Sequence, residues 1–90
     1  MMKVKFERSF EKDLKKLKDR NIRKKVKEVI EMVESIKEIG EFKGDLRKIR
    51  TSPNLWRIRI GDYRIGLRIE KDTVIFVRVL HRRDIYKYFP

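Results

Sequence analysis

Cysteine, alanine and glutamine do not occur among the 90 residues; proline appears twice, glycine four times and histidine once. Without cysteine there is no disulfide framework of the kind small secreted domains rely on, no thiol nucleophile and no thiolate metal site. A single histidine with no carboxylate cluster beside it argues against zinc, so neither a metal nor a cofactor is expected. No apolar run approaches the roughly 18 residues a membrane helix needs. The segment Met1 to Phe6 is too polar for a secretory leader, so a cytoplasmic protein with no membrane partner is expected. Gly40 and Gly44 lack the Lys-Ser/Thr sequel of a phosphate-binding loop. No repeat, low-complexity stretch or linker divides the chain, and its length suits one domain over residues 1–90. The missing residue types are offset by abundant Lys, Glu, Arg and Ile, a bias that heat-adapted proteins show.

What is present in excess is positive charge. Lys and Arg number 26 against 14 acids, a net charge of +12. A field of that strength around so small a body favours a polyanionic partner. The charge divides unevenly by chemistry. Residues 1–44 hold eleven Lys and three Arg against nine acids; residues 45–90 hold nine Arg and three Lys against five. Lys is a strongly hydrated point charge suited to a solvated helix, whereas Arg offers a planar fork that grips phosphate and stacks on bases. Recognition is therefore expected in the second half.

Periodicity changes at the same place. Val4 and Phe6 alternate with Lys3 and Lys5, predicting a short first strand. Ser9 precedes Phe10, Leu14 and Leu17 and is the expected cap of a first helix. After a break at Lys18 to Asn21, with Asp19 or Asn21 as the next cap, Ile22, Val26, Val29, Ile30, Val33 and Ile36 repeat at helical spacing. Gly40 to Gly44 ends this hairpin; Leu46 and Ile49 mark a brief extended piece and Ser52-Pro53-Asn54 a turn. Three alternating runs follow, led by Trp56, Ile58 and Ile60, then Tyr63, Ile65, Leu67 and Ile69, then Ile75, Val77 and Val79. The two-residue turns Gly61-Asp62 and Lys71-Asp72 imply antiparallel pairing. The expected fold is α+β. An N-terminal strand and a two-helix hairpin pack on one face of a small, mainly antiparallel sheet, and a short basic C-terminal tail or helix follows.

With the hairpin on the apolar face, the opposite face carries Arg57, Arg59, Arg64, Arg68 and Arg78 and no acid among those positions. Like charges facing each other across strands are destabilising, so a sheet built only for stability would interleave Glu. Together with His81-Arg82-Arg83-Asp84-Ile85-Tyr86, this face suits RNA, whose unpaired bases stack on aromatic rings and guanidinium planes. RNA cleavage has a built-in nucleophile in the 2′-hydroxyl. The protein must supply a proton acceptor, cations for the phosphorane and an acid for the leaving 5′-oxygen. Arg serves the second task and is a poor base, because it stays charged to a pH above about 12.

The order strand, helical hairpin, three-stranded meander and basic tail resembles the RelE/ParE superfamily of type II toxins over nearly the whole chain. The segments that carry the resemblance are SFEKDLKKL (9–17), LWRIRIGDYRIGLRI (55–69) and VLHRRDIYKYF (79–89). The resemblance to RelE-like members implies a metal-independent, ribosome-dependent endoribonuclease that cuts mRNA in the A site. It also implies a cognate acidic antitoxin, RelB-like, held in a hetero-oligomer. Carried over by position, it implies catalytic roles for Arg57, Arg59, Arg64, Arg82 and Tyr86. His81, Arg83 and Tyr88 are alternatives in the tail; Arg68 and Arg78 have no strong counterpart in the family and are expected as peripheral RNA-phosphate contacts. RelE-like sites often hold Lys where this chain has Arg57 and Arg59, which preserves phosphate binding and leaves the general base unassigned; some relatives pair a C-terminal His with the Tyr. Two other readings compete: a ParE-like poison of DNA gyrase, and an RNA-binding domain without catalysis.

Overall fold

The computed structural model describes all ninety residues. Strand β1 (Lys3–Phe6) runs into helix α1 (Arg8–Lys16), and helix α2 (Arg20–Ser35) folds back beside it. A single 3-10 turn at Ile39–Glu41 leads to β2 (Asp45–Lys48), β3 (Leu55–Ile60), β4 (Tyr63–Glu70) and β5 (Thr73–His81), and helix α3 (Arg82–Tyr88) closes the chain. The sheet order is β1-β5-β4-β3-β2, with β1 parallel to β5 and every other pair antiparallel. This is the expected α+β arrangement.

Helix α2 starts where Asp19 caps it, its carboxylate accepting from the amides of Asn21 and Ile22 at 3.0 and 3.2 Å. Such a cap satisfies donors that the first turn leaves without partners. The apolar stripe of the hairpin (Phe10, Leu17, Ile22, Val26, Val29 and Val33) meets Ile58, Ile60, Ile65, Leu67, Val74, Phe76 and Val79 from the sheet in one core. Burying each such side chain contributes on the order of 1.5–3 kcal/mol. Gly61 turns β3 into β4 with φ of 61°, a left-handed conformation that glycine adopts without a steric penalty.

Two expectations are corrected. Ser9 is not the cap of α1: only Glu7 separates the helix from β1 and occupies the cap position, and the Ser9 hydroxyl donates to the carbonyl of Val77 at 2.6 Å. Strand β1 is only four residues long and covers β5 as far as Phe76. Ser9 therefore satisfies part of the β5 edge that β1 does not reach. The second correction concerns phase in β5. Val74, Phe76 and Val79 are the core residues, in place of an Ile75, Val77, Val79 series. The register shifts between Gly66 and Leu67, whose partners are Arg78 and Phe76, so Val77 has no opposite residue. Such a bulge adds a residue to one strand and reverses its alternation.

Candidate functional site

Cross-strand pairing orders the face turned away from the hairpin into rows. In one row Asp45, Arg59 and Arg64 are successive neighbours on β2, β3 and β4. In the next, Arg47, Arg57, Gly66 and Arg78 cross from β2 to β5. Opposed residues in antiparallel strands lie about 4.5–5.5 Å apart at Cβ, so Arg59 with Arg64 and Arg47 with Arg57 are close like-charged pairs. Asp45, Arg47, Arg57, Arg59 and Arg64 enclose, with Tyr86 from α3, a cavity of about 170 Å³.

One carboxylate serves four guanidinium groups there. Asp45 lies 3.4 Å from Arg47 and 4.0 Å from Arg59, contacts too long and exposed to neutralise the cluster. Arg64 is held by the backbone, its Nη1 donating to the carbonyls of Gly61 and Tyr63 at 2.9 Å each, so the turn itself aims this cation. Arg57 donates to the Tyr86 hydroxyl at 3.0 Å and lies 5.4 Å from the centroid of the ring. Tyr86 is 69% exposed, which leaves its outer face open for stacking. Concentrated, under-neutralised guanidinium groups beside an exposed aromatic ring have the chemistry to grip a phosphate and to stack on an unpaired base.

The structure thus brings together Arg57, Arg59, Arg64 and Tyr86. Arg82 points elsewhere, 4.0 Å from Asp62 at the β3–β4 turn, and Arg83 is exposed on α3. His81 is the cap of α3: its Nδ1 accepts from the Arg83 amide at 3.1 Å, and its ring stands edge-on to Tyr63 at 5.4 Å. Tyr88 lies over Arg78, 5.4 Å from the guanidinium carbon to the ring centroid. Arg68 is tied to Glu7 at 3.0 Å and to Glu70 at 3.5 Å. Arg78 makes two hydrogen bonds to buried Asp13 on α1, at 2.7 and 2.9 Å. Both are committed to ion pairs within the fold, so neither adds a free cation to the cavity. Sequence reasoning missed Asp45 and Arg47; their alternation with core-packed Leu46 places both on the arginine face and is the signal that identifies them.

A five-stranded sheet with a helical hairpin on one face and clustered arginines on the other is the plan of a small toxin of the type II toxin–antitoxin class. Residues 4–86 match the family described as ParE toxin of type II toxin–antitoxin system, parDE. The chain is 47% identical over 89 residues to Toxin RelE3 of Methanocaldococcus jannaschii, covering 99% of this chain and 100% of that one. In the crystal structure of the RelB-RelE antitoxin–toxin complex from Methanococcus jannaschii, a chain 45% identical superposes with a TM-score of 0.83, over 97% of this chain and 100% of that chain. The toxin–antitoxin complex RelBE2 from Mycobacterium tuberculosis contains a chain 30% identical, with a TM-score of 0.70 over 92% of this chain and 93% of that one. The chain belongs to the RelE/ParE superfamily of type II toxins.

Proposed function

We propose that this toxin is an endoribonuclease that cuts mRNA in the ribosomal A site and is held inactive by an acidic, RelB-like antitoxin. The observation that carries the reading is the convergence of Arg47, Arg57, Arg59 and Arg64 with Tyr86 around one small cavity containing a single carboxylate. Attack of the 2′-hydroxyl on the adjacent phosphorus forms a 2′,3′-cyclic phosphate and releases the 5′-oxygen. Negative charge grows on the phosphorane oxygens during this step, and preorganised guanidinium groups stabilise it more than the ground state. Arg64, fixed by two carbonyls, presents its remaining donors to those oxygens. The Tyr86 oxygen accepts from Arg57, which leaves its own proton free to go to the departing 5′-oxygen. The guanidinium groups cannot take the 2′ proton, and the Tyr86 oxygen is already engaged. Among the lining groups, that leaves the Asp45 carboxylate as the proton acceptor.

The relatives solved as RelB–RelE complexes support the antitoxin part of the reading. Carboxylates of an acidic segment laid over the arginine rows would compete directly with phosphate. The test is cleavage of mRNA on translating ribosomes, read as new 3′ ends within A-site codons. Removing one preorganised donor costs about 10²–10³-fold in rate, so Arg64→Ala should leave message intact where the unaltered protein cuts it. Intact message with both proteins rejects the nuclease reading. The match to a ParE family description favours a second reading, a DNA gyrase poison, which predicts inhibited supercoiling and uncut message.

A further inference from the structure

Helix α3 is seven residues long, too short to be stable by itself, yet it carries the tyrosine of the cavity. Something outside the cavity must hold it. Ile85 and Phe89, four residues apart, are both buried, and the amide of Phe89 donates to the carbonyl of Ile85 at 2.8 Å. The ring of Phe89 lies directly on Gly66 of β4. A Cβ at Gly66 would come within 2.7 to 2.8 Å of three ring atoms, closer than real Cβ contacts, so only glycine admits the ring at this depth.

Gly66 stands between Arg57 and Arg78 in one cross-strand row. Tyr86 lies over Arg57 and Tyr88 over Arg78, each with 5.4 Å between guanidinium carbon and ring centroid. Three neighbouring residues of the sheet therefore receive three rings of the tail: Tyr86 on Arg57, Phe89 on Gly66, Tyr88 on Arg78. Of the three contacts, the central one alone is buried and sterically exclusive. The far contact is fixed in turn, because Arg78 is locked to Asp13 on α1.

From this geometry we infer that Gly66 and Phe89 are positioning residues for the cavity: the glycine is a socket and the phenylalanine a plug, and together they set the Tyr86 hydroxyl against Arg57. Their effect on RNA cleavage rests on the proposed nuclease reading; their effect on where Tyr86 sits does not. Without the plug, the last turn of the helix loses its buried anchor on β4, and Tyr86 is left with Ile85 beside it and the exposed contacts to Arg57 to set its position. A displacement of about 1 Å at a reacting group can cost about a hundredfold in rate.

Two variants separate the socket from general stability. Gly66→Ala expels the ring, and Phe89→Ala removes it at the chain's periphery, where the core cluster is untouched. Both are measured by the resonances of isotope-labelled tyrosine, by thermal unfolding, and by single-turnover cleavage of ribosome-bound mRNA. Both variants are expected to move the Tyr86 ring resonances to the same new position and to slow cleavage about a hundredfold. In a Tyr86→Phe background, Gly66→Ala should slow cleavage no further, because both act through the same hydroxyl. Unmoved Tyr86 resonances in Phe89→Ala overturn the inference, as does an undiminished rate effect of Gly66→Ala in the Tyr86→Phe background. If the unaltered protein fails to cleave, the nuclease reading falls, and the tyrosine resonances still decide whether the socket positions Tyr86.

Discussion

Arg57 and Arg78 flank Gly66 on the same face of the sheet, and each lies under a tyrosine of the same short helix. Their surroundings are opposite. At Arg78, α1 delivers a buried carboxylate that accepts two hydrogen bonds from the guanidinium and a third from the amide of Val79 at 3.1 Å. At Arg57, β2 delivers another arginine, with Asp45 one row away. Hydrogen bonding to Asp13 raises the pKa of Arg78 above its ordinary range, partly opposed by desolvation and aided by the charge of Asp13. A raised pKa contributes stability at every pH below the ordinary arginine value and loses it only as pH climbs through the raised one, so this pair stabilises the fold throughout the physiological range. The lesson is that residue type and strand phase do not decide what an arginine does. The carboxylates supplied by neighbouring elements decide it.

Breaking the Arg78 side of this contrast should have the largest effect. Asp13→Ala leaves the partly buried Arg78 guanidinium and the buried Val79 amide without this partner and should cost about 3 kcal/mol of stability, read as a lowered midpoint in denaturant. Asp45→Asn tests the other side. It should slow cleavage about a hundredfold if the carboxylate takes the 2′ proton. It should also tighten RNA binding, since it removes the one negative charge lining the cavity; loosened binding would mean that Asp45 organises the arginines. The smallest effect is expected at Arg59, whose side chain is 62% exposed. Arg59→Ala should change stability by less than about 0.5 kcal/mol. It should lower the slope of log affinity against log salt by about 1, measured by titrating RNA at several salt concentrations. A loss of stability at Arg59 comparable to that at Asp13 would erase the distinction between the two regions.

The alternation of Arg57 and Arg59 with Trp56, Ile58 and Ile60 placed β3 correctly, and Arg64 followed from the tight Gly61-Asp62 turn. These strands are long enough for a period of two to be readable. The β5 phase was not, because a bulge changes alternation without changing composition, and Val77 is as apolar as the residues that enter the core. Arg78 nevertheless falls on the arginine face, opposite Gly66, because the extra residue Val77 returns the end of β5 to the phase that alternation with Val79 predicts. Asp13 was invisible because an acid at position 13 of a Lys-rich helix reads as surface; only the tertiary fold shows that it faces the open edge of β5. Ser9 failed as a cap for the same reason: Val77 recruits its hydroxyl. The tail was ambiguous between Tyr86 and Tyr88, and the structure gives each its own arginine. In β2 only Leu46 marks the buried face, so Arg47 has a single apolar neighbour to set its phase where β1 has both Val4 and Phe6.

Strand β5 has a consequence for how the molecule comes into being. It lies between β1 and β4, so the first strand in chain order pairs only with the fifth, and residues 3–6 wait for residues 73–76 before they have a partner. Until then the helical hairpin has no sheet edge for Ser9 and Asp13 to grip. Contacts this far apart in sequence close late, because a long loop must be ordered before they form. The edge of β5 that completes α1 and the row that seats Tyr86 therefore arise together in the final stage of folding. A nascent chain carries most of the positive charge well before it carries the site.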